Sequence, residues 1–292
     1  MGLSLHKYSF GDSYFFESFL SGPTLTNDMT NSTSFRARKE CVSLSISVFT
    51  LCLIISCASS NNPRPSERAA SQPVRESVQV YGALFKIMHE GRTERTVDLN
   101  ELGGQKGLYG LGALEGLSGE VTIWNGEVWR SKPDGNGGAV ATRNEQTSDG
   151  ATLLVTTEVS KWQEVSVDKD VDFSSLDSFI QQAATQAGTN TNEAFAFRIE
   201  GTVRKLDWHV IDGSKIPANA HGHAAHMKTA VRGKVVDGYA RILGFYSPKH
   251  HAVFTHHDTN THAHVILDTP LMTGHVDHVD IAAGARLFLP VL

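Results

Sequence analysis

The sequence predicts a mostly β, α+β fold with antiparallel sheets. Alternating apolar and polar runs recur between Ser77 and Leu289, and one segment carries a clean helical period. No β-α-β alternation and no internal repeat accompanies them. The 292-residue chain carries a formal net charge of −5, a mild acidity that argues against a nucleic-acid binder.

Residues 1–57 read as a targeting segment of lipoprotein type. Arg36, Arg38 and Lys39 form a basic patch, and the apolar stretch Val42–Ile55 is short for a membrane span. Ile54-Ile55-Ser56-Cys57 resembles a bacterial lipobox, in which the cysteine is lipidated and becomes the new N-terminus. An ordinary signal peptide or an uncleaved anchor is the alternative. Met29 is the expected start, because the residues before it lack basic n-region character. Residues 58–76 are polar and rich in Pro and Ser, as a flexible tether is. The expected location is exported, periplasmic or lipid-anchored to the bacterial envelope. Cys41, Cys52 and Cys57 are the only cysteines, so a domain starting at Ser77 must build any metal site from His, Asp or Glu.

Within 77–292, Ser77–Glu90 predicts a strand leading into a helix. Leu99–Gly119 is glycine-rich without the Gly-Lys-Ser/Thr of a phosphate loop, and predicts tight turns and close backbone approaches. Glu120–Arg130 predicts a hairpin, since Asn125-Gly126 favours a type I′ turn between alternating runs. Pro133–Gly150 is polar and turn-rich, and Ala151–Thr157 predicts a strand. Phe173–Gly188 predicts the best helix, with a Ser cap and a Gly stop. Further strands are expected over Ala194–Asp207, Gly238–Tyr246, Val253–Asp268 (broken near Asp258–Asn260) and Val276–Leu289.

Twelve of the 14 histidines fall between His209 and His278. Among them His262 and His264 stand two apart in a predicted strand, so they share a face. A Pro/Gly-containing turn follows, and a hairpin there can bring His275 to the same point. Three imidazoles with an open fourth position are the usual makeup of a catalytic zinc site. A His-rich surface strand is the competing reading.

Four separate segments resemble the α-acetolactate decarboxylase family. They are Gly112–Glu120 with the Trp124–Glu127 hairpin, Ala196–Thr202 (A-F-R-I-E-G-T), Ile242–Pro248 (I-L-G-F-Y-S-P), and the closing H-x-H-x10-H of His262, His264 and His275. They occur in the family's order across about Val78–Leu289. The resemblance implies a carbon–carbon lyase of two packed β-rich halves, about 77–190 and 191–292. It implies zinc on His262, His264 and His275, with Glu120 and Arg198 facing the metal. The implied reaction is zinc-dependent decarboxylation of 2-acetolactate to acetoin, or of a related 2-hydroxy-3-oxo acid. In it Arg198 would clamp the carboxylate and Glu120 would relay a proton.

Two departures stand out. Ala113 replaces a frequent Thr, and the family's acidic residue beyond the third His has no clear match, with Asp277 and Asp280 the nearby carboxylates. A catalytically impaired metal-binding envelope lipoprotein on the same fold is therefore the alternative function. A cupin-like oxygenase ranks last, because no Glu follows H-x-H. His221, His223 and His226 fall in a variable loop, read as a polar cover over the cleft in preference to a second metal site. Of His256 and His257 only one can join the cluster, and His278 should face away. The partners expected are a small-molecule 2-hydroxy-3-oxo acid, a membrane only through lipid on Cys57, and at most a second copy in a homodimer.

Overall fold

The computed structural model describes residues 77–144, 146–217 and 222–291. The segments expected as signal, lipid anchor at Cys57 and tether, and also His221, lie outside the described residues.

The first sheet is antiparallel and uses β1 (Gln79–Tyr81), β2 (Val97–Asp98), β3 (Leu108–Leu114), β4 (Glu120–Trp124), β5 (Glu127–Pro133), β6 (Ala139–Asn144) and β7 (Gly150–Glu158). Its order is β1-β7-β3-β4-β5-β6, with β2 also on β7. The β4–β5 hairpin turns at Asn125 (φ 53°) and Gly126 (φ 87°), both left-handed as a type I′ turn demands. The glycine-rich stretch expected to form turns contains a fully paired strand, β3. The close approach expected there is real. A Cβ on Gly112 would lie 2.0 Å from the Leu153 carbonyl oxygen, so β3 and β7 pair as they do only with glycine.

The second sheet uses β8 (Trp162–Ser166), β9 (Phe195–Val210), β10 (Val231–Tyr246), β11 (Thr261–Asp268), β12 (Leu271–Ile281) and β13 (Arg286–Pro290). Its order is β10-β11-β12-β9-β13-β8, and a further β9–β10 pairing closes β9 to β12 into a ring. Phe197, Leu206, Trp208, Ile242, Val265 and Val279 belong to one buried cluster that fills the ring, together with Ile180 of a helix described next. That helix, α2 (Leu176–Gln186), packs its apolar side there. Ser175 makes no capping hydrogen bond, contrary to expectation. The acidic group in the first turn is Asp177, whose carboxylate accepts from the Asn260 N–H at 2.6 Å and ties α2 to the start of β11.

Several boundaries differ from those expected. The predicted strand from Val253 is ordered as strand only from Thr261, because residues 250–255 form turns. The predicted Val276–Leu289 strand is two, β12 and β13. β2 and β8 are short and were not foreseen. Two short helices, α1 (Leu84–Glu90) and α3 (His223–Thr229), flank one end of the layer between the sheets. Among the described residues no helix is long and apolar enough to cross a membrane.

Along β4 the alternation is strict. Val121 and Ile123 join the core behind the first sheet, while Thr122 reaches His264 and Trp124 joins the apolar layer facing the ring. All five residues of β4 are buried, so a polar side chain here must find its partner inside the protein.

Candidate metal centre

β11 and β12 pair so that His264 lies directly opposite His275, and His262 sits two residues before His264 on the same face. The three rings converge, each offering a nitrogen within 4.8 Å of the others. His262 Nε2 and His275 Nδ1 are 3.0 Å apart. Two ligands of a tetrahedral zinc at about 2.0–2.1 Å stand about 3.3 Å apart, so these positions suit one ion.

A chain of hydroxyls sets the tautomer of His264. Thr273 donates its hydroxyl proton to the Val265 carbonyl at 3.0 Å. The Thr122 hydroxyl, 2.6 Å away, must then donate to Thr273 Oγ1, which leaves Thr122 Oγ1 to accept from His264 Nδ1–H at 3.1 Å. His264 Nε2 is thereby left unprotonated, fully buried and without a hydrogen-bond partner. A buried lone pair with nothing to accept costs free energy unless a cation takes it. The site therefore fits a borderline metal by its donors.

The electrostatics agree. Burial, then the neighbouring imidazoles, pushes His262 down to about 3 and holds His264 and His275 well below the ordinary histidine value. All three are neutral at pH 7, the form a metal needs.

Glu120, the first residue of β4, is buried beside them. Its Oε2 is 3.7 Å from His264 Nε2, and its Oε1 accepts from the Ile211 N–H at 3.2 Å. Burial pushes its carboxyl well above the usual range. Asp277 adds to this, and the Ile211 N–H opposes it. The environment thus favours its protonated form over that of an exposed glutamate.

A fourth imidazole completes the polar end of the layer. β9 places His209 opposite His275, with ring centroids 4.8 Å apart. Asp277 Oδ1 accepts from His209 Nδ1 at 2.8 Å, and Arg232 lies 3.5 Å from the other carboxylate oxygen. His209 Nε2 is thus turned toward Glu120 Oε1, 4.0 Å away. His209 was not singled out from the sequence, and no local pattern marks it, because its place depends on β9 pairing with β12. Asp277 was noted only as a nearby carboxylate. It is the extra residue of a β-bulge in β12, between Val276 and His278, so strand parity does not mark its place beside His209.

Arg198 requires correction. The expectation was a shared cleft with Glu120 and the histidines. It does lie on the face toward the first sheet, since β10 pairs Leu243 with both Arg198 and His264. Its guanidinium, however, stacks among Trp162 (4.5 Å), Phe288 (4.6 Å), Trp124 (5.0 Å) and Tyr109 (5.6 Å), with Glu200 at 3.6 Å. It does not line the pocket above the histidines. That pocket is walled by Glu120, His209 and His256, with Leu117, Leu153 and Ile211 as its apolar side. His256 joins the cluster, its ring 5.6 Å from His275, while His257 lines only an outer recess. His278 turns to Asp280, at 3.0 Å, and to Phe173.

A family profile described as alpha-acetolactate decarboxylase matches residues 80–288. Among solved structures, alpha-acetolactate decarboxylase from Bacillus subtilis strain 168 shares 17% identity at a TM-score of 0.58, over 74% of this chain and 86% of that one. A Staphylococcus aureus protein of unknown function similar to alpha-acetolactate decarboxylase shares 18% identity at 0.57, over 74% and 86%. The enzyme from Bacillus subtilis subspecies spizizenii shares 17% at 0.57, over 74% and 87%. Identities this low speak to the fold. No curated protein sequence matches the chain. With the profile spanning nearly all of both sheets, this chain is a member of the α-acetolactate decarboxylase family.

Proposed function

We propose that the protein is a zinc-dependent carboxy-lyase that converts 2-acetolactate, or a closely related 2-hydroxy-3-oxo acid, to the hydroxyketone. The observation that supports this best is the buried trio His262, His264 and His275, two of which, His262 and His275, line a pocket together with the buried Glu120. These histidines would hold the zinc, which when bound supplies Lewis acidity toward substrate oxygens.

Decarboxylation breaks the bond to the carboxylate carbon, releases CO2 and leaves an electron pair that must end in a new C–H bond. The net reaction consumes one proton. Glu120 is the acid placed to supply it, since it lines the pocket 3.7 Å from His264 and burial raises its carboxyl above the usual range. His209 donates an Nδ1–H hydrogen bond to Asp277, which holds its Nε2 toward Glu120 at the pocket wall. The apolar wall of Leu117, Leu153 and Ile211 excludes water and strengthens these contacts. Arg198, expected to clamp the carboxylate, is assigned a packing role between the sheets.

The second reading is a metal-binding protein that has lost turnover, and the removal of Arg198 from the pocket favours it. The full chain, loaded with zinc and supplied with racemic acetolactate, separates the two. Release of CO2 with formation of acetoin supports the lyase. Full zinc occupancy with no turnover supports the binding protein. Export and a lipid anchor at Cys57 complete the proposal. They predict that Cys57→Ser moves the protein from the membrane fraction to the soluble one.

A further inference from the structure

The histidines not used by the metal centre are grouped as well. His223 opens α3, and His256 lies in the turn region before β11. Their rings are 5.2 Å apart at 81°. Within the inner centre, His262 and His264 are 5.2 Å apart at 72°. The outer pair thus repeats the spacing and near-perpendicular setting of two ligands of the inner one. His89, His257 and the thioether of Met88 line the same outer recess. His223 and His256 also line the inner pocket, so the recess is its outward continuation.

No carboxylate lines the recess itself, although Asp258 and Asp277 lie near enough to act on His256, and imidazole and thioether donors select borderline to soft transition metals over magnesium or calcium. Simple ring packing is the competing explanation for a T-shaped pair, and phenylalanine would satisfy it equally. Packing does not account for two further histidines around the same recess.

We propose that His223 and His256 hold a second transition-metal ion at the mouth of the pocket. His257 or His89, together with water, fills the remaining positions. Among the described residues only the inner trio already has three donors within 4.8 Å. The outer ion must draw in its third ligand, so it binds more weakly than the inner one. This inference does not depend on the decarboxylase reading, and its test uses no turnover.

The test is titration of the metal-stripped full chain with Zn2+ by calorimetry, with bound metal counted by elemental analysis. The wild type should take up one tight and one weaker equivalent. His223→Ala and His256→Ala should each weaken the second at least tenfold and keep the first. His223→Phe, which preserves the ring packing, should lose it equally. The double variant His262→Ala/His264→Ala should lose the tight ion and keep the weak one. If that variant does not fold, Cu2+ added to wild type preloaded with one equivalent of Zn2+ reads the outer site through nitrogen hyperfine splitting. A single equivalent in the wild type, or a second one that survives loss of both His223 and His256, would overturn the proposal.

Discussion

The layer between the two sheets has a histidine end and an aromatic end, and both carry polar side chains that the sequence presents as site candidates. At the histidine end, His264 Nε2 is buried with no hydrogen-bond partner, and three ring nitrogens aim at one point. At the aromatic end, the Arg198 guanidinium is covered by four rings and paired with Glu200. The difference lies in what each group has left to offer. Arg198 spends its charge on ring faces and one carboxylate, which is what a cation does when it holds a core together. The histidines keep their lone pairs, which is what ligands do. A buried polar residue is therefore read by what surrounds it, rings around Arg198 and converging imidazoles around His264, and its position on the right face of a strand is not enough.

Four experiments test this contrast. The largest effect should come from His264→Ala. It removes one of the three proposed ligands, so zinc affinity should fall by more than the roughly 10–100-fold typical of an outer partner, and zinc-loaded protein should lose the ion on dialysis. Retained stoichiometric zinc would show that the histidine end is not the metal site.

Acid should come next. His262, His264 and His275 have folded values depressed below their ordinary 6.5, with His262 at about 3. Between these limits the unfolded chain binds more protons than the folded one. Stability of the metal-free protein is therefore full above pH 6.5 and falls progressively as pH drops toward 3. Glu120 has the opposite sign, its raised value favouring the fold at lower pH, but one carboxyl opposes three imidazoles. Denaturant titrations from pH 7 to pH 4 check this, and a midpoint that rises on acidification would contradict it.

Thr122→Val should act through His264 alone. It removes the acceptor that holds Nδ1–H and frees the ring to take the other tautomer, which should weaken zinc by about 10–100-fold without unfolding the protein. Competition with a coloured chelator measures it. Unchanged affinity would mean the hydroxyl chain does not set the tautomer.

The smallest effect on the site should come from the aromatic end. Arg198→Ala should cost about 1–3 kcal/mol of stability through lost ring contacts and packing, while zinc content stays unchanged. Thermal denaturation with metal analysis reads both. If Arg198→Lys abolishes turnover with zinc and stability intact, the guanidinium acts on substrate and the aromatic end belongs to the active site.

The sequence by itself determined what local periodicity and turn chemistry encode. Strand parity placed His262 and His264 on one face, Asn125-Gly126 set the β4–β5 turn, and the helical period of Phe173–Gly188 marked α2. The three histidines needed only a hairpin to meet, and a hairpin is a short-range event. What the tertiary structure decided rests on pairings between distant strands. Only the β9–β12 ladder brings His209 and Asp277 to the centre, and only packing of β4 against the ring buries Glu120 and supplies Thr122 to His264. Only the meeting of β3, β4, β8 and β13 surrounds Arg198 with aromatic rings. The physical reason is one of range. A side chain's face is set by its own strand, whereas its burial, its tautomer and its partners are set by whichever chain segments fold against it.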